Sequence, residues 1–237
     1  MLAKHFVLLD IDGTLLRAGG SGRAAMQLAM IDVYGTAGDI TAYKFAGKTD
    51  FFMLTELLKP AGFTERQIAD TLPRYGEALI HHMRQISHNY TIAALPGARE
   101  LVDLLVDHDD VLLGLLTGNM PGMADMKLRG AGFDPSVFSV AVYGSEARLR
   151  HDLAPIALAR AEHSTGKRFH PSHTVIVGDT VDDIGCAHGI GARVIAVTTG
   201  NTPRAELEEH PPVIVLDDLS DTQSVMALIL DHNDHLT

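Results

Sequence analysis

The sequence predicts an α/β protein: a mostly parallel sheet with helices on both faces, interrupted near its start by an all-helical insertion. Three observations predict it. Short apolar runs stop abruptly at polar residues, amphipathic segments separate those runs, and the rhythm lapses between residues 17 and 88. Phe6-Val7-Leu8-Leu9 stops at Asp10, Val111–Leu116 stops at Thr117, and 174–177 stops at Gly178-Asp179. Residues 192–197 and 213–216 supply two further strands. Amphipathic stretches at Ala98–Val106, 120–130, 155–163 and 183–188 fill the intervals, and strands alternating with helices make a parallel sheet. In such sheets the ligand crevice lies outside the carboxyl ends of the strands, so the turns at Asp10, Thr117 and Asp179 are expected to meet there. The insertion reads as helices at 23–34 and 51–58, with the capping-box spacing Thr64-Glu65-Arg66-Gln67 opening a further helix and 72–86 continuing in the same manner. The expected division is a core of residues 1–16 and 89–237 and an inserted unit of 17–88, with Pro96-Gly97 marking the return to the core.

Composition narrows the class of function. At 237 residues and 46% hydrophobic content the chain buries a substantial core, and one large domain with a modest insertion fits best. The net charge of −11 argues against a nucleic-acid backbone or an anionic membrane surface as partner. An anionic substrate therefore requires positive potential made locally. Cys186 is the only cysteine, so no intramolecular disulfide is possible and a reducing compartment is expected. The N-terminus runs from one lysine straight into an apolar strand, unlike a signal peptide, and no apolar run approaches the roughly 20 residues of a membrane helix. The expectation is a cytoplasmic protein. There is no internal repeat.

The strand ends carry the chemistry. Asp10-Ile11-Asp12-Gly13-Thr14-Leu15 puts two carboxylates at i and i+2, on one side of an extended backbone, and Gly13 allows a sharp turn after them. Such a pair can divide labour: one attacks phosphorus, the other gives a proton to the leaving oxygen and later takes one from water. Two anions beside a phosphate repel it, so a divalent cation is required. The competing interpretations are a solvated loop and a calcium loop. The latter fails because Ser21 stands where the twelfth-position glutamate belongs. Thr117-Gly118-Asn119 offers a hydroxyl and backbone N–H groups to a phosphate oxygen, or else a plain helix cap. Gly178-Asp179-Thr180-Val181-Asp182-Asp183 sets carboxylates at i and i+4, able to face one metal, although Asp182 by itself also reads as an acid answering a helix dipole. The joint occurrence of all three turns decides for a site.

With these motifs in this order, the chain resembles the haloacid dehalogenase superfamily over nearly its whole length, with a Rossmann-like core. The insertion after the first motif, Gly47-Lys48-Thr49-Asp50 and Leu95-Pro96-Gly97 resemble the C1-type cap of the phosphoglycolate phosphatase-like branch. The resemblance implies a Mg2+-dependent phosphatase acting on a small-molecule phosphate ester through an aspartyl-phosphate. Asp10 is implied as nucleophile and Asp12 as general acid and base. Thr117 is implied to bind the phosphoryl group, with Gly118 and Asn119 beside it. The metal is implied at Asp10, the backbone carbonyl of Asp12, and Asp179, with Asp183 supporting its shell.

The family's charge-balancing lysine, often in a Lys-Pro pair, is missing from its place. Arg150 is the candidate substitute, with Arg148 behind it; arginine can clamp phosphate oxygens bidentately. Lys48, in the inserted unit's loop, is a candidate for substrate selection; the alternative is a solvated lysine. Ala46-Gly47-Lys48-Thr49 fails as a P-loop because Ala42 stands in place of the first glycine. Gly19-Gly20-Ser21-Gly22 is expected to hinge the cap. Cys186 is expected to pack in its helix. Among the 13 histidines, His81-His82 and those at 232 and 235 are expected at the surface. Asp12 disfavours a dehalogenase and a phosphonate-cleaving enzyme. A β-phosphoglucomutase-like phosphomutase and a non-catalytic phosphate-binding regulator stay open as alternatives. The motifs choose no particular substrate and no oligomeric state.

Overall fold

The computed structural model describes residues 4–231. β1 (His5–Leu9) leads to β2 (Leu16–Arg17), and three helices follow: α1 (Ser21–Tyr34), α2 (Asp50–Leu58) and α3 (Glu65–Ile86). The chain returns through β3 (Ala93–Ala94), which pairs antiparallel with β2. Next come α4 (Ala98–Val106), β4 (Val111–Leu116), α5 (Pro121–Gly130), β5 (Val140–Val142) and α6 (Leu153–Thr165). The remainder is β6 (Thr174–Gly178), α7 (Val181–Gly189), β7 (Arg193–Val197), α8 (Arg204–Glu208), β8 (Ile214–Leu216) and α9 (Thr222–Leu230).

Six strands form one parallel sheet in the order β5-β4-β1-β6-β7-β8. The strand order reverses direction at β1, which lies between β4 and β6 with Leu9 level with Leu115 and Val177. That register brings the residues following these three strands together at the switch point, where open α/β sheets bind ligands.

Alternation of side chains along each strand builds two apolar layers. Val7, Leu9, Leu113, Leu115, Val175 and Val177 pack with α4, α5 and α9. Phe6, Leu8, Ile176 and Val194 face the other way, onto α6 and α7. Both faces are covered, so the strands read as continuous apolar runs. A third cluster joins α1, α2 and α3 through Met26, Met30, Leu54, Leu72 and Tyr75, and it also takes in Met120 and Met123 from the core side. The insertion therefore has its own core and rests on α5.

The helical insertion and five of the six parallel strands agree with the sequence reading. Thr64 caps α3 through a complete capping box with Gln67, and α3 runs unbroken to Ile86. β5 was not anticipated: it is three residues long, too short to show a period, and exists because it pairs with Gly114, Leu115 and Leu116. The two-residue strands β2 and β3 escaped notice for the same reason, as did the terminal helix α9. His81 is exposed as expected, but His82 is half-buried with its Nε2 3.5 Å from Asp32 Oδ2. Residues 232–235 lie outside the described residues. Among the described residues no helix is long and apolar enough to cross a membrane.

Leu8 is fully buried whereas Ile31 is 49% exposed. Leu8→Ala is expected to lower unfolding free energy by about 2–5 kcal/mol, and Ile31→Ala to change it by no more than about 0.5 kcal/mol, in urea unfolding monitored by circular dichroism.

Candidate active site

The site starts from three strand ends. Asp10 follows β1, and its N–H donates to the Val177 carbonyl at 2.9 Å. The chain then turns back on itself through Gly13, whose φ of 89° lies in the left-handed region. A Cβ there would also stand 2.5 Å from Asp179 Oδ2, so glycine serves both the turn and the close approach of that carboxylate.

Asp10, Asp179 and Asp183 converge: all three are buried, and one carboxylate oxygen from each lies within 4.8 Å of the others. Arg150 joins them. Its Nη2 is 2.8 Å from Asp10 Oδ1 and 2.5 Å from Asp183 Oδ1, and its Nε donates to the same Asp183 oxygen at 3.1 Å. Asp183 also completes a capping box with Thr180 that opens α7, accepting from the Thr180 N–H at 3.1 Å and hydroxyl at 2.6 Å. The capping role considered for Asp182 therefore belongs to Asp183; Asp182 is exposed. Burial pushes the Asp10 carboxyl from 3.8 up to about 7, opposed by Arg150 and reinforced by Asp183. Burial likewise drives Asp179 well above the usual carboxylate range, with the Asp10 and Asp183 charges adding to the effect. One guanidinium does not offset three buried carboxylates. An all-oxygen set with excess negative charge fits a hard divalent cation such as Mg2+.

Asp12 belongs to a second network. Its Oδ2 accepts from Lys127 Nζ at 2.6 Å and from Asn119 Nδ2 at 2.8 Å, and Lys127 also donates to Asn119 Oδ1 at 2.7 Å. Lys127 is buried and was missed in the sequence. The signal was there: Met123, Ala124, Lys127 and Leu128 form the buried face of α5, and a lysine in such a stripe calls for a partner.

Thr117 is fully buried and accepts from the Asn119 N–H at 3.3 Å and from its Nδ2 at 2.8 Å. It does not cap α5. Asp50, from the insertion, does so across the interface: its Oδ2 accepts from the Met120 N–H at 2.9 Å. Gly118 lies against the same loop, with its carbonyl accepting from the Asp50 N–H at 2.7 Å. A cavity of about 440 Å3 lies between core and insertion, lined by Asp10, Asp12, Thr117, Gly118, Asn119, Lys48, Arg150 and Asp179. Asp183 stands behind Arg150 and is absent from that wall. Arg148 turns away toward Glu56 (3.8 Å), Glu65 (3.4 Å) and the Phe52 ring. Cys186 is buried, and its thiol donates to the Arg150 carbonyl at 3.3 Å.

Residues 151–222, which hold the Gly178-Asp179 turn, match the HAD-hydrolase-like family model. No curated protein matches the chain. Solved structures do, at full length. A hydrolase from Pseudomonas syringae aligns with 98% of this chain and 100% of its own, at 22% identity and a TM-score of 0.70. A predicted phosphoglycolate phosphatase from Haemophilus somnus 129pt aligns over 94% and 98%, at 20% identity and a TM-score of 0.66. CbbY from Rhodobacter sphaeroides, in complex with phosphate, aligns over 93% and 96%, at 16% identity and a TM-score of 0.65. At such identities the likeness is one of fold, and it includes the helical insertion. Residues 151–222 thus carry the sequence pattern of a HAD-hydrolase-like family model, and the chain as a whole has the fold of the solved hydrolases with which it aligns.

Proposed function

We propose that the protein is a Mg2+-dependent phosphomonoesterase that hydrolyses a small phosphorylated metabolite through an aspartyl-phosphate on Asp10. The observation that carries this is the buried convergence of Asp10, Asp179 and Asp183 beside a cavity that also exposes Asp12. Arg150 holds one oxygen of Asp10, which fixes the carboxylate and leaves its other oxygen to attack phosphorus in line with the ester bond. Asp12, oriented by Asn119 and Lys127, gives its proton to the departing alkoxide. It then takes a proton from the water that attacks the aspartyl-phosphate, which returns free Asp10 and inorganic phosphate. The Thr117 hydroxyl and the Gly118 N–H receive phosphoryl oxygens. Asp10, Asp179 and the backbone carbonyl of Asp12, with Asp183 behind, would hold Mg2+, which would supply the positive charge that lets a phosphate approach these carboxylates. Residues 17–88 are assigned as the cap and 1–16 with 89–237 as the catalytic core, a division supported by the separate apolar cluster of α1–α3. The small acidic protein has no need of a nucleic-acid or membrane partner for this reaction.

Phosphate release from an aryl phosphate is expected to require Mg2+, to stop with chelator, and to fall by at least about 1,000-fold in Asp10→Asn. Lys127→Met is expected to lower kcat by on the order of 10–100-fold with a smaller change in KM, because Asp12 loses its orienting partner. Undiminished turnover by Asp10→Asn contradicts the mechanism.

The raised carboxyls also set a pH dependence. A carboxyl with a higher pKa folded than unfolded holds its proton more tightly in the native state, so its contribution weakens the fold as pH rises through the interval between the two values. For Asp10 that interval runs from 3.8 to about 7, and Asp179 shifts in the same direction. The metal-free protein is expected to lose melting temperature across this range. Mg2+ is expected to restore more at pH 8 than at pH 5, and Asp179→Asn to flatten the decline, all read by differential scanning fluorimetry.

A further inference from the structure

Away from the carboxylates, the cavity wall changes character. Met26, Met53, Leu79 and Met123 line it there, and two polar groups interrupt them. Tyr75, on α3, lines the cavity and is fully buried, and its phenol oxygen has no hydrogen-bond partner among the described residues. An unpartnered buried hydroxyl is costly and is retained where a ligand completes it. The second group is Asp50, the first residue of α2, which is buried and lines the same wall. One of its oxygens takes the Met120 N–H. Both residues line the same cavity and no hydrogen bond joins them; burial pushes the Tyr75 phenol well above its ordinary value, and the Asp50 charge adds to the shift. A ligand hydroxyl that reached both would accept from Tyr75 and donate to Asp50.

The cations that line the cavity each have a partner already. Arg23 donates to the carbonyls of Ile40, Thr41 and Tyr43. Arg17 donates to the Thr199 carbonyl, and Lys48 lies over the Phe52 ring within the field of Asp182. Lys127 and Arg150 serve Asp12, Asp10 and Asp183. An anionic group placed beside Tyr75 and Asp50 would face the charge of that buried carboxylate.

We propose that Tyr75 and Asp50 recognise the organic half of the phosphate ester, and that this half is a neutral alcohol with an apolar body and a second hydroxyl remote from the phosphate. A carboxylate or a second phosphate in that position is rejected. The inference rests on the phosphatase reading of the same site and adds a substrate class to it. The cavity, at about 440 Å3, is of the size that holds a small molecule.

The test is calorimetric binding to the Asp10→Asn protein with Mg2+, so that affinity is read without turnover. The probes are matched n-alkyl, ω-hydroxyalkyl and ω-carboxyalkyl phosphates, each lengthened one carbon at a time. At the best length the hydroxyl ester is expected to bind about 10-fold tighter than the alkyl ester, and the carboxyl ester about 10-fold weaker than the alkyl ester. Adding Tyr75→Phe, which keeps the ring and removes only the orphan hydroxyl, is expected to bring the hydroxyl and alkyl esters within about twofold while leaving the alkyl affinity in place. Tightest binding by the carboxyl ester, no binding by any ester, or a hydroxyl preference that survives Tyr75→Phe overturns the proposal. Phosphate release from the same esters by the unaltered protein is read separately. The expected affinity order without release supports the recognition and overturns the phosphatase reading alone.

Discussion

The rest of the site follows from the repulsion among Asp10, Asp179 and Asp183, confined within 4.8 Å of one another at the end of a parallel sheet. Bringing three carboxylates out of water and together is unfavourable on both counts, desolvation and like charge. Arg150 offsets part of this by bridging Asp10 to Asp183, and the Thr180 capping box offsets more by hydrogen bonding Asp183. What is left over is the raised pKa of Asp10 and Asp179, which a bound cation would relieve. Stability has been given up locally for function, a pattern common at active sites.

The same constraint explains why Asp12 is managed separately. A fourth uncompensated carboxylate beside these three would raise the repulsion further, and Lys127 with Asn119 offsets its charge. The helix that supplies Lys127 is in turn held by the insertion. Asp50 caps α5, the Asp50 N–H binds the Gly118 carbonyl, and the Thr49 hydroxyl donates to the Arg148 carbonyl at 2.5 Å. Met120 and Met123 complete the apolar cluster of α1–α3. The insertion is thus part of what positions Asp12, as well as a roof over the cavity.

Much of this was legible in the sequence because it depends on local rules. Apolar runs ending in polar turns located β1, β4 and β6, and a parallel sheet must bring such ends together. The carboxylates of the first and third turns could be read from spacing alone, and Arg150 was proposed from the family resemblance, as a substitute for its charge-balancing lysine. What could not be read depends on contacts remote in the chain. Lys127 lies 115 residues from its partner Asp12 and on a helix face that otherwise signals plain packing. Asp50 looks like a helix-start acid until the Met120 N–H is seen against it. The orphan hydroxyl of Tyr75 is invisible in sequence, since an aromatic in an amphipathic helix reads as core. β5 was missed because three residues carry no period.

The central claim is that Asp10 becomes covalently phosphorylated, and the most direct measurement is mass spectrometry of the Asp12→Asn protein quenched in acid after exposure to acetyl phosphate and Mg2+. Acetyl phosphate carries a leaving group that needs no proton, so Asp12 is dispensable for the first step and required for the second. The account predicts one phosphoryl group, labile to hydroxylamine, on the peptide that contains Asp10. A phosphoryl group on another residue, or none while the unaltered protein turns over the same donor, contradicts it.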